Sequence, residues 1–154
     1  MGLEKQEMEL AVVAISVAAG CKPCADHHLK LAREEGATDD SIRAAVRLGA
    51  GVRRSAAAIL EAHALGEPVD EGLIIAPLSG LDVLSGLGAA LAVNSTDEVT
   101  RYLGETRKWA VGDDDLRAVI EQATFIRGKA ISHAEKLVAP YTGETAVKTP
   151  CCGE

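Results

Sequence analysis

Apolar residues recur every three to four positions over long stretches of this chain, and strict apolar–polar alternation is scarce. That period predicts helices throughout and an all-α class. Leu3 to Ala19 reads as a first helix, charged at its start and almost wholly apolar from Leu10 onward. Gly20 breaks it, and Pro23 suits the first turn of a second helix, where a missing N–H is not needed. The second helix reaches about Glu35 and stops at Gly36. Thr38, Asp39 and Asp40 open a third, with acids at its positive end, which continues to about Leu65. A connector over 66–77 precedes a fourth helix from about Leu78 to Val93. Ser95 and Glu98 form a capping box for a fifth, ending near Trp109. The sixth opens at Gly112 to Asp115 and is expected to end near Leu137, ahead of Pro140 and Gly143.

The pattern also repeats. An offset of 74 residues lays Ala37–Val46 over Val111–Ile120, with Arg53 on Arg127, Ala56 on Ala130 and Glu61 on Glu135. The order of an apolar helix, a short helix and a long acid-capped helix recurs as well. Two related three-helix repeats follow, about 3–65 and 77–137, inside a single domain over 1–140. Residues 141–154 form a polar tail ending in the vicinal pair Cys151 and Cys152. The recurrence of Arg53 and Arg127 suggests structural ion pairs.

Composition narrows the class. The chain has 154 residues, 47% of them hydrophobic but only 3% aromatic, so small side chains permit close helix packing. Trp109 and Phe125 are expected in the core. The net charge is −7 without a basic tract, which argues against nucleic acid and anionic membrane as partners. Leu73 to Val93 is apolar enough to resemble a membrane span. Pro77, Asp82 and several small residues favour a buried helix of a bundle instead. A charged start, Gly2 to Glu7, reads as the absence of a signal peptide, and a reducing cytoplasm is expected.

The most specific chemistry lies at the start of the second helix. Cys21 and Cys24 are three apart and His28 follows four later, so all three share one helical face. In the second copy these positions hold Ser95, Glu98 and Tyr102, and Val83 stands where the first has Glu9. The scaffold therefore does not need the thiols, which marks them as functional. Cys24 lies in the first helical turn with an imidazole one turn on, and both features favour a thiolate. Cys24 is read as the thiol that attacks a peroxide O–O bond and becomes a sulfenic acid. Cys21 then condenses with it and releases water. Glu9, a carboxylate among apolar neighbours, needs a partner. His28 is the candidate, and the pair would relay a proton.

Glu9, eleven intervening residues, then Cys21-x-x-Cys24-x-x-x-His28, resembles the motif of the alkylhydroperoxidase D branch of the carboxymuconolactone decarboxylase-like superfamily. The stretch Leu29 to Val46, with Gly36 to Asp40, is similar as well. The resemblance covers about residues 3–65 and extends to 77–137 as a degenerate copy. It implies an alkylhydroperoxidase D-like helical bundle, assembled as a homotrimer or homohexamer. It implies a peroxiredoxin-like alkylhydroperoxidase acting on hydrogen peroxide or alkyl hydroperoxides. A lipoylated protein or another dithiol would be the electron donor. Cys24 becomes the peroxide-reactive thiol, Cys21 the resolving one, and Glu9 with His28 the relay. One departure is Pro23, where the best-known members have His.

Three other readings stay open. The same four side chains offer zinc-ligand chemistry, but structural zinc joins separate elements, and three of these four come from one helix start. No metal or cofactor is therefore expected. A thiol–disulfide oxidoreductase without peroxide activity fits CxxC equally well. A redox or metalloid sensor would draw on Cys151 and Cys152. His27 reads as a surface residue. His63 and His133 read as cations suited to the negative ends of long helices.

Overall fold

A computed structural model of the chain describes residues 2–143. The described residues form six α-helices and one 3-10 turn, with no strand among them. The helices are α1 (Lys5–Ala19), α2 (Lys22–Glu34), α3 (Asp39–Leu65), α4 (Gly80–Ala92), α5 (Thr96–Glu105) and α6 (Asp113–Thr142); the turn is Glu71–Leu73. The expected all-α architecture is present.

The centre of the bundle is the crossing of α1 and α4. Both helices are buried on nearly every side, α1 from Leu10 to Ser16 and α4 from Val83 to Ala90. A helix apolar all round must sit inside a bundle, which explains why Leu73 to Val93 looked like a span. No helix among the described residues is long and apolar enough to cross a membrane. Close approach needs small residues. A Cβ on Gly49 of α3 would overlap the Ala14 carbonyl of α1, and one on Gly86 of α4 would overlap the Tyr102 ring.

α3 packs on α1 and α6 packs on α4, while α3 also meets α4 and α6 also meets α1. α2 lies on α1 and touches α6; α5 lies on α4 and touches α3. Exchanging the first three helices for the last three thus preserves every one of these neighbours. Ile15, Val52, Leu87, Tyr102, Val119 and Ile126 meet in one core, and Cys21 and Cys24 belong to it.

Several expectations are corrected. α6 runs through Pro140 to Thr142, where Gly143 closes it at φ 74°. A proline in the final turn removes only one backbone bond from a long helix. α5 stops at Glu105, and residues 106–110 form turns ending at Ala110, whose φ is 50°. Trp109 and Phe125 are 39% and 51% exposed, so neither is core. Among the described residues Arg53 and Arg127 donate to neutral oxygens, where ion pairs were expected. Arg53 Nη1 reaches the Ala18 carbonyl at 2.9 Å, and Arg127 Nη1 reaches the Leu91 carbonyl at 3.4 Å and Asn94 Oδ1 at 3.0 Å. Each guanidinium sits at a helix C-terminus, where the exposed carbonyls attract a cation. Cys151 and Cys152 lie outside the described residues.

Candidate active site

The turn between α1 and α2 sets the sulfurs. Gly20 adopts φ 72°, and the N–H groups of Gly20 and Cys21 donate to the Val17 and Ser16 carbonyls, both at 3.1 Å. These bonds satisfy carbonyls that the end of α1 leaves open. A Cβ at Gly20 would stand 2.6 Å from Arg53 Nη1, the movable end of a side chain, so it is chiefly the positive φ that favours glycine here. Arg53 therefore braces the turn from α3.

Cys21 is the N-cap of α2, with φ −92° and ψ 95°. Its Sγ accepts the Cys24 N–H at 3.3 Å. Sulfur here takes the place that a hydroxyl or carboxylate oxygen holds in an ordinary cap. The two cysteines are joined as a disulfide, with Cα atoms 5.3 Å apart. Cys21 is 3% exposed and Cys24 not at all.

Glu9 and His28 meet across α1 and α2. His28 Nδ1 lies 2.7 Å from Glu9 Oε2, with side-chain exposures of 12% and 21%. A carboxylate accepting from Nδ1–H leaves Nε2 as the ring's proton-accepting atom. The His27 ring stands edge-on to His28, centroids 5.0 Å apart. The structure thus brings Cys21 to Cys24 and Glu9 to His28.

It also brings in a residue that sequence reasoning assigned elsewhere. The Cys21 and Cys24 sulfurs and one ring nitrogen of His133 all lie within 4.8 Å of one another. Glu9 and His28 are not members of that cluster. His133, on α6, has a sequence position that suggests only a helix-end cation. The signal that finds it is the repeat itself. At the same offset, His133 corresponds to Ile59 and Cys21 to Ser95, and Ile59 and Ser95 line one cavity. The long helix of each half reaches the cap of the other half's short helix.

Residues 1–67 match the carboxymuconolactone decarboxylase family. The stretch holds Glu9, Cys21, Cys24 and His28 but ends well before His133. The chain is 40% identical over 67 residues to the alkyl hydroperoxide reductase AhpD of Acidobacterium capsulatum, covering 44% of this chain and 36% of the relative. The protein of the same name from Gluconacetobacter diazotrophicus is 39% identical over 66 residues, 43% of this chain and 36% of its own. That of Hyphomonas neptunium is 43% identical over 63 residues, 41% and 34% respectively. The chain therefore spans about a third of the length of these curated relatives. No solved structure matches the chain.

Proposed function

We propose that the chain is a thiol-dependent peroxidase that reduces hydrogen peroxide or alkyl hydroperoxides through Cys21 and Cys24. The observation that carries the reading is the disulfide at the start of α2, the helix whose His28 meets Glu9, within the stretch that matches the carboxymuconolactone decarboxylase family, in a chain similar over part of its length to alkyl hydroperoxide reductases. In this reading the Cys24 thiolate attacks the terminal peroxide oxygen. The O–O bond breaks, an alcohol or water leaves with a proton, and Cys24 becomes a sulfenic acid. Cys21 attacks that sulfur, a water departs, and the disulfide forms. A dithiol or lipoylated protein returns two electrons by exchange. His28 Nε2, oriented by Glu9, is the proton carrier.

Burial of both sulfurs gives this scheme a further requirement. An exchange partner must reach a disulfide with at most 3% exposure, so the α1–α2 turn opens during reduction. The assembly is proposed as a homotrimer or homohexamer of two-repeat chains, in the cytoplasm. The exposed Leu60, Leu137 and Val138 are candidates for burial between subunits.

A second reading is favoured by one bond. The Cys24 N–H donated to Cys21 Sγ stabilises negative charge on Cys21. That suits Cys21 as the attacking thiol of a thiol–disulfide oxidoreductase. Turnover assays separate the readings. With dithiothreitol as donor, the peroxidase consumes cumene hydroperoxide stoichiometrically and leaves insulin disulfides nearly untouched. Rapid insulin reduction with no hydroperoxide consumption rejects the first reading for the second.

A further inference from the structure

We propose that the reduced chain binds a thiophilic divalent cation of the Zn2+ class through Cys21 Sγ, Cys24 Sγ and a ring nitrogen of His133. The three ligand atoms already lie within 4.8 Å of one another. Zinc bound at about 2.3 Å from sulfur and about 2.0 Å from nitrogen holds its ligands about 3.5–3.8 Å apart. Opening the disulfide separates the sulfurs toward that spacing, while the first turn of α2 keeps their Cα atoms near 5.3 Å. Three protein ligands leave the fourth position of a tetrahedral ion to a further group.

The ligand set has the character of a zinc site. A paired CxxC comes from the start of α2 and the imidazole from α6, so the ion would join two elements from opposite halves of the chain. The set built on Glu9 and His28 lacks this property, and those two residues engage each other at 2.7 Å. Burial adds a driving force. Cys24 has no exposed surface and Cys21 has 3%, and two adjacent thiolates there are costly without a cation between them. The Cys24 N–H capping Cys21 Sγ supplies the outer hydrogen bond that steadies a coordinated thiolate.

The site is gated by oxidation state. Two thiols bind one Zn2+ and release two protons. A small-molecule disulfide such as oxidised glutathione takes up two electrons and leaves as two thiols while the two sulfurs join, which removes both anionic ligands together. The reduced form is then the metal-binding form and the disulfide form is not. This proposal needs no peroxide chemistry, so it stands or falls apart from the peroxidase reading.

The test uses the full chain with Cys151→Ser and Cys152→Ser, which removes the tail thiols. The reduced, chelator-free protein is titrated with Co2+, read by thiolate-to-cobalt absorption, and Zn2+ affinity is read by competition with a chromophoric chelator. One ion per chain with two protons released is expected, and none for the disulfide form. His133→Ala should weaken binding at least about tenfold. His28→Ala should stay within about twofold, since that ring is not a ligand. His133→Cys should restore binding and intensify the thiolate band, which keeps the test decisive if His133→Ala loses helicity. Parent-like affinity in a folded His133→Ala, equal loss in His28→Ala, or no stoichiometric ion in the reduced parent overturns the proposal.

Discussion

The starts of α2 and α5 have almost the same backbone and opposite chemistry. Each follows a residue in the left-handed region, Gly20 at φ 72° and Asn94 at φ 57°. In each the next N–H reaches five residues back, from Cys21 to Ser16 and from Ser95 to Ala90, both at 3.1 Å. In each the N-cap side chain accepts the N–H three residues on at 3.3 Å, Cys21 from Cys24 and Ser95 from Glu98. An arginine from the long helix braces both. The side chains then diverge. Where the first start buries Cys24, the second buries Glu98, 1% exposed and held by Arg101 at 2.6 Å. Where the first has His28 on Glu9, the second has fully buried Tyr102, whose hydroxyl has no hydrogen-bond partner among the described residues. The lesson is that this turn tolerates a thiol, a carboxylate, an imidazole or a phenol at the same places. Geometry alone therefore does not require sulfur.

The largest effect that would sharpen the contrast is chemical. Cys24→Ser should reduce peroxide turnover to background while circular dichroism stays unchanged, because the backbone does not depend on the thiol. Cys21→Ser should trap a sulfenic acid that dimedone labels after one turnover. Normal turnover in Cys24→Ser would break the comparison outright.

Next comes the second start's own pair. Glu98→Ala leaves the Arg101 guanidinium without its buried partner and should cost about 2–3 kcal/mol, discounted because Arg101 is partly exposed. Urea unfolding with an unchanged m value would measure it. A change near zero would mean that the Arg101 bond to the Ile75 carbonyl at 2.8 Å suffices alone. Smaller again, Glu9→Gln and His28→Ala should each lower peroxide turnover by about tenfold, read with a saturating dithiol donor. Unchanged turnover would remove the relay from the proposed mechanism.

The smallest effect concerns Tyr102. Burial pushes its hydroxyl above the ordinary value of 10.0, with the Arg101 cation 4.3 Å over the ring pulling back. The folded state therefore favours the protonated phenol. That contribution is complete below the unfolded value and fades as pH rises through the folded one. Tyr102→Phe should change stability by less than about 1 kcal/mol at pH 8. It should also flatten the loss of stability above about pH 10, read by urea titrations at both pH values.

The helices were legible because their punctuation is local. Gly20, Thr38 and Ser95 act within four residues of themselves, and the period needs no tertiary information. The end of α6 was not, since a proline signal cannot tell a helix stop from a tolerated final turn. The site was half legible. Glu9 and His28 face each other across one turn, so their spacing encodes their meeting. His133 is far along the chain, and its place beside the sulfurs depends on how α6 lies against α2, which periodicity does not encode. The aromatic residues misled for a related reason: size predicts burial only where the fold turns that face inward, and Trp109 and Phe125 face outward.

The position of His133 has a consequence for protein engineering. The half of the molecule that resembles other proteins does not carry everything that surrounds its own reactive atoms. A chimera importing only residues 1–67 would inherit the redox pair and leave its far-side neighbour behind. Such grafts would need the last long helix as a companion piece.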